Sequence, residues 1–299
     1  MKKNLIIFPL IISLLLISSF TTIFFTTAFC GLVETYEKGA IDWEKGVVAA
    51  EGWGFPPKNM HPGQARLMAE RAAKVDAYRN LLEAVNAVRV DAQTTVKESV
   101  VESDVIRAEV QGFIKGAKIS EPKYMSDGTV KVELTIALSG VGGLSGIFFP
   151  KPSLKIEKEK GEKTIPEETY LPSLQEEAKM PAIDFTKPFT GLVINAQGLE
   201  IRPAMNPKIL SEKGQEIYGS ASVSSDFAEK FGMVGYAKDL EKACKIDRVK
   251  DNPLVIKALN FSGKQKADVV ISNNDAALLY KLNQNLSFLK ECKVIFVLD

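Results

Sequence analysis

The chain has 299 residues, 38 basic against 37 acidic side chains, a formal charge of +1 and an apolar fraction of 45%. So even a balance provides no long-range field to draw it onto nucleic acid or anionic lipid. One histidine and three cysteines also leave no ligand spacing of the kind that holds zinc.

Lys2 and Lys3 precede a run without charge from Leu5 to Val33. Two cations before an apolar stretch hold the N-terminus in the cytoplasm while the stretch enters the membrane, which predicts an export signal. Residues 1–28 read as the signal peptide, because Thr26-Thr27-Ala28 places small residues before a cut at Phe29. Two alternatives stand beside cleavage. The stretch Leu5–Phe25 just reaches the ~20 residues that span a bilayer, so it could remain as an anchor. Cys30 could instead carry a lipid, with Phe29 standing where such a signal wants a small residue. Loss of Lys2 and Lys3 would leave a charge of about −1 on about 270 residues, a length that suits two domains.

The first domain is expected over residues 33–146. Val47–Ala50 reads as a strand, and Glu51–Pro57 as a turn set by glycine and proline. A helix follows from Gln64 to Val85, with Ala65, Met68, Ala69, Ala72, Val75, Tyr78, Leu82 and Val85 on one drifting face. Its alanines make a thin stripe suited to close packing on a sheet. Val88–Val96 alternates like a half-buried strand. Ser103 or Asp104 caps a second helix that ends at Gly116. Ala117–Tyr124 and Thr129–Leu138 form a hairpin turning at Ser126-Asp127-Gly128. The predicted order is β-α-β-α-β-β.

Residues 150–182 alternate lysine and glutamate among prolines and predict a charged linker. The second domain is expected over residues 183–299. Gly191–Ala196 reads as a strand, and Pro207–Leu210 with Glu216–Ser220 as a hairpin. Helices are predicted at Ser225–Phe231 and Tyr236–Lys245. Asp268–Ile271, a helix from Asn274 to Glu291 and the apolar run Val294–Leu298 read as a parallel βαβ unit. The fold class is therefore α+β in two small domains: a mixed or antiparallel sheet under an alanine-rich helix, then a domain with a C-terminal βαβ unit.

His61 sits before Pro62-Gly63 at the mouth of the long helix, a place for an exposed turn residue. No Gly-x-Ser-x-Gly is present, and the glycine-rich Ser139–Gly146 lacks the lysine of a phosphate loop. The carboxylate pairs Glu98/Glu102 and Asp226/Glu229 read as solvated faces. Cys244 and Cys292 either form a disulfide or are two small buried side chains. Ser272, Asn273 and Asn274 stand where a strand meets a helix. They could hold a polar ligand on free backbone N–H groups, or simply cap the helix.

The stretch from Gly52 to Leu138 resembles the lipoprotein-20 family of bacterial envelope proteins and the related N-terminal region of flagellar assembly protein T. Gly52, Gly54 and Pro56 carry the resemblance, with Ala69, Ala72, Asp76, Ala77, Arg79, Leu81 and Leu82 in the helix. Gly112–Ala117 and Asp127–Val130 complete it. The resemblance implies a non-enzymatic module in the periplasm or at the outer membrane, linked in some relatives to flagellar assembly. The expectation is an exported envelope assembly or scaffold factor without cofactor or metal. Its partners would be envelope proteins, flagellar basal-body components among them, with membrane contact only through the N-terminal segment. A periplasmic module binding a small or polymeric ligand is the alternative.

Overall fold

The computed structural model describes residues 32–149, 187–283 and 287–299. The signal segment 1–28, Cys30 and the charged stretch 150–182 lie outside the described residues. The fold is α+β, with three sheets among the described residues and helices over them.

The first sheet contains β1 (Val33–Tyr36), β2 (Gly39–Asp42), β3 (Val47–Gly54), β4 (Lys118–Ile119), β5 (Lys123–Tyr124) and β6 (Val130–Ala137). Its order is β1-β2-β3-β6-β4, β5 also pairs with β6, and every pairing is antiparallel. The hairpin at Asp127-Gly128 forms as expected: Gly128 has φ +84°, and Asp127 accepts the Thr129 N–H at 2.9 Å. β3 and β6 alternate buried and half-buried along their length, so one face meets the core.

Helix α1 (Pro62–Ala87) lies on that face. Proline at its start lacks a donor that the first turn would leave unused, and His61 accepts the Gly63 N–H through Nδ1 at 3.3 Å in an exposed turn. Two shorter helices follow, α2 (Val96–Glu102) and α3 (Asp104–Lys115). Thr95 and Glu98 form a capping box on α2; Ser103 caps α3, and Gly116 ends it. α2 was not anticipated, and the strand expected at Val88–Val96 does not form. That segment keeps a single bridge, Arg89 to Thr95, and Asp91 turns it by accepting the Gln93 and Thr94 N–H groups at 2.8 Å. Its carbonyls are used elsewhere: Arg89, Val90 and Ala92 accept the N–H groups of Met205, Asn206 and Gln265.

The second half follows the short helix α4 (Ser145–Phe148). A parallel sheet contains β7 (Gly191–Asn195), β10 (Gly235–Ala237), β11 (Pro253–Lys257) and β14 (Val294–Val297), in the order β10-β14-β7-β11. A mixed sheet contains β8 (Ile209–Ser211), β9 (Glu216–Tyr218), β12 (Asn260–Ser262) and β13 (Asp268–Ile271), in the order β12-β13-β8-β9. The expected β8–β9 hairpin is present and antiparallel. β14 is buried at every position, as its unbroken apolar run predicted.

The second half departs from the expected order in three places. β13 and β14 are both in parallel pairings, but they belong to different sheets, β13 beside β8 and β14 between β7 and β10. They are not one βαβ pair, because each strand finds a neighbour more distant in sequence. The helix between them, α7, covers Asn273–Asn283 and stops short of Glu291; residues 288–292 are turn, with Cys292 at φ +56°. The helix expected at Tyr236–Lys245 is split into β10 and the four-residue α6 (Leu240–Ala243), capped by Asp239. The helix α5 (Ser225–Phe231) forms as predicted and ends at Gly232, φ +75°.

A single apolar core runs through both halves, from Leu32 and the α1 alanines to Phe296 and Leu298. A smaller cluster of Val193, Ala237, Ala243, Val249, Val255, Ile295 and Val297 lies on the other face of the parallel sheet.

Candidate functional site

α1 is apolar on two faces, and the small side chains are the buried ones. Ala65, Ala69, Ala73, Ala77, Leu81 and Ala84 face the sheet at three- and four-residue spacing. The strand beneath is matched to them: a Cβ on Gly52 would stand 2.2 Å from the Ala73 carbonyl oxygen, and one on Gly54 1.9 Å from that of Ala69. Helix and strand backbones therefore touch without side chains between them. Asp76 joins them further by accepting the Trp53 N–H at 3.0 Å, and Asn80 donates to the Glu51 carbonyl at 2.6 Å.

The opposite face carries the large apolar residues. Met68 is 45% exposed, Val75 52%, Leu82 39% and Leu67 58%. The helix was expected to bury Met68, Ala72, Val75 and Leu82 together with the alanines; the structure separates the two sets. The contact distance allowed by Gly52 and Gly54 admits alanine and turns the bulkier residues outward. Arg71 and Arg79 are exposed among them.

Polar pairings are set into the shared apolar core where the two halves meet. Arg89 and Glu34 form a buried ion pair, and Arg89 Nε donates to the Pro203 carbonyl at 2.6 Å. Burial and the Glu34 carboxylate push the Tyr36 phenol, 3.2 Å away, up to about 12. Tyr236 exchanges hydrogen bonds with the Ala204 backbone at 2.7 and 2.9 Å and packs edge-on against Trp43, ring centroids 6.0 Å apart. A cavity of about 40 Å³ lies beside these rings, lined by Trp43, Ser145, Met205 and Tyr236. The Trp43 Nε1 and Ser145 Oγ have no partner among the described residues, and the space suffices for a bridging water. Further out, Lys264 bonds Glu98 at 2.8 Å across the seam and holds that carboxyl down at about 2. Sequence spacing could not reveal these pairings, since Arg89 and Pro203 are 114 positions apart.

The residues singled out for ligand binding are engaged internally. Ser272 Oγ accepts the Asp275 N–H at 3.0 Å, and Glu212 from the β8–β9 turn accepts the Asn273 N–H at 3.0 Å. The start of α7 is thus occupied by the chain's own carboxylate. Asn274 is exposed.

The disulfide considered for Cys244 and Cys292 is absent, and both are free thiols. The parallel sheet separates them: Cys244 packs against the cluster on one face, while Cys292 is in the large core on the other. Burial pushes both thiols up, away from the reactive thiolate. Arg248 lies beside Cys292 and donates to the carbonyls of Cys292 at 3.1 Å, Gly232 at 3.4 Å and Phe231. It ties the end of α5 to the parallel sheet. An open, mainly apolar groove of about 520 Å³ lies between α3 and β6, with Phe113, Ile136 and Ala137 on its walls and Lys118 among its lining residues. Among these sites, the outward face of α1 presents Met68, Val75 and Leu82 in line and partly exposed.

Residues 191–299, from the first residue of β7 to the last of the sequence, match the family described as Treponema pallidum Tp0624, second domain. The similarity covers the parallel and mixed sheets and leaves the α1 half unmatched. No curated protein matches the chain.

Proposed function

We propose that this is an exported, non-enzymatic protein of the cell envelope that acts as an assembly or scaffold factor, with the outward face of α1 as its contact surface. The observation that carries this reading is the division of α1: alanines buried on glycines, and Met68, Val75 and Leu82 turned to solvent. Aligned apolar side chains on a rigid helix are a usual basis for protein contact. The resemblance of Gly52–Leu138 to envelope modules supports the same reading and extends it to flagellar assembly. Against the alternative of a ligand-binding module at Asn273 stands Glu212, which already fills that helix terminus.

A photo-reactive amino acid placed at position 75 in producing cells, with position 213 on the far half as control, tests the contact. Adducts to another protein at 75 and none at 213 are the expected result; equal or absent labelling overturns the reading. The intact mass from each cell fraction tests export. A mass starting at Phe29 means a cleaved periplasmic protein, and one starting at Cys30 with acyl chains a lipoprotein. A full-length mass in the cytosol removes export from the proposal.

A further inference from the structure

The charges around the α1 stripe specify what kind of surface covers it, an inference that rests on the contact role proposed above. Met68, Val75 and Leu82 recur every seven residues, so they form a nearly straight line ~21 Å long on the helix. Ala72 lies beside them, also exposed. Arg71 and Arg79 stand four residues either side of Val75, which puts one on each flank of the line at about 40° around the axis. Both are exposed, and neither makes an ion pair among the described residues. The nearby acids are engaged elsewhere: Glu70 with Lys74 and Tyr124, and Asp76 with Trp53 and Asn80. Glu83 lies at the margin of the face.

A second copy of the chain does not suit this pattern. Antiparallel pairing centred on Val75 sets Arg71 against Arg79 of the other copy, and parallel pairing sets each arginine near its own equivalent. Like charges in those places disfavour the pairing. An anionic bilayer suits it less well than a helix does, because Arg71 and Arg79 stand within the apolar face, close to the line of Met68, Val75 and Leu82, with Leu67 and Ala72 beyond them. A membrane-lying helix presents a broad apolar face with its charges on the polar side.

We propose that the face docks an acidic amphipathic helix of another protein, two to three heptads long. Its apolar seam covers Met68, Val75 and Leu82, and its Asp or Glu residues lie opposite Arg71 and Arg79. Apolar burial supplies the affinity, while the arginines select the partner and set its register.

Two synthetic three-heptad peptides serve as probes, both with leucine at the seam and with either glutamate or lysine at the flanking positions. Their binding to the full chain is measured by fluorescence anisotropy at two salt concentrations. The glutamate peptide should bind at least tenfold more tightly, with the gap narrowing at high salt. The charge reversal Arg71→Glu/Arg79→Glu should invert the preference, and Val75→Glu should weaken both peptides tenfold with the circular dichroism unchanged. Equal affinities, binding of neither peptide, or an unchanged preference in the reversed variant overturns the proposal. So does self-association abolished by Val75→Glu, which would name a second copy, or flotation with phosphatidylglycerol vesicles abolished by it, which would name the membrane. Protein adducts at position 75 without charge selectivity would leave the contact role standing and remove only the acidic helix.

Discussion

Gly54 and Ala69 meet with no room for a side chain between them, since a Cβ on the glycine would stand 1.9 Å from the alanine's carbonyl oxygen. The same relation holds one turn further along, between Gly52 and Ala73. These contacts fix the distance from α1 to β3 and thereby determine which face of the helix is left to solvent.

Gly54→Ala and Gly52→Ala should each destabilise the fold by about 3 kcal/mol or more, because the clash is with backbone and no rotamer relieves it. Ala73→Gly, which removes a buried methyl and keeps the contact distance, should cost only about 1 kcal/mol. Urea unfolding distinguishes them. A glycine substitution as mild as Ala73→Gly would show that the helix can lift away from the strand.

The Glu34–Arg89 pair is buried on both sides. Glu34→Leu leaves a guanidinium buried with the Pro203 carbonyl as its acceptor, and should cost about 3–5 kcal/mol. Replacing both residues, Glu34→Leu with Arg89→Met, should recover most of that loss. The cycle of single and double variants in urea measures the coupling, and additive losses would mean that the two charges do not depend on one another.

Asp268 should make the protein's stability depend on pH. Its carboxyl is pushed up to about 6 by burial, with Asp91 and Glu216 adding to the rise and the Lys208 N–H and side chain opposing it. A group with a folded-state value above its unfolded one binds its proton more tightly in the native state. Stability should therefore fall as the pH rises from about 4 to about 6, then level off. Asp268→Asn keeps an acceptor for the Lys208 N–H and removes the charge. It should raise stability at pH 7 and flatten the profile through that window. Parallel stability–pH curves for the two proteins would contradict the assignment.

The two thiols should behave as separate reduced groups. In the native state Cys244 is half-buried and should react slowly with a thiol reagent, whereas Cys292 is buried and should react only after unfolding. Mass analysis before and after denaturation counts the modifications at each site. A chain lighter by two hydrogens, with both cysteines unreactive in denaturant, would mean that they pair after all.

Turns and uninterrupted strands were legible in the sequence because the residues that specify them are close together. Asp127-Gly128 marks a hairpin by its own conformational freedom, and the apolar run at Val294 announces a strand covered on both faces. The segment Val88–Val96 misled because its alternation is real but its backbone partners are Met205, Asn206 and Gln265. α1 was legible as a helix and not in its orientation. Alanines and large apolar residues share the same spacing, and only the glycines of β3 decide between them. The ends of α7 were uncertain for a related reason, since Ser272 reads as a cap whereas Glu212, 61 positions before Asn273, cannot be placed there from spacing.

The start of α7 is held by two separate groups, Ser272 and Glu212. Ser272 Oγ accepts the Asp275 N–H at 3.0 Å and donates to its carboxylate at 2.7 Å, so Ser272→Ala removes a cap and should cost about 1 kcal/mol. Glu212→Gln keeps an oxygen for the Asn273 N–H and loses only the charge beside the positive end of the helix, an effect of about 0.3–1 kcal/mol at low salt. Glu212→Ala should cost more than Glu212→Gln, because the Asn273 N–H loses its acceptor as well. Asn274→Ala should change stability least, since that side chain is exposed. If Glu212→Ala instead left stability untouched and made the chain bind phosphate or acetate in a titration, the carboxylate would be acting as a displaceable plug. A helix terminus that binds ligands would then replace one that is simply capped.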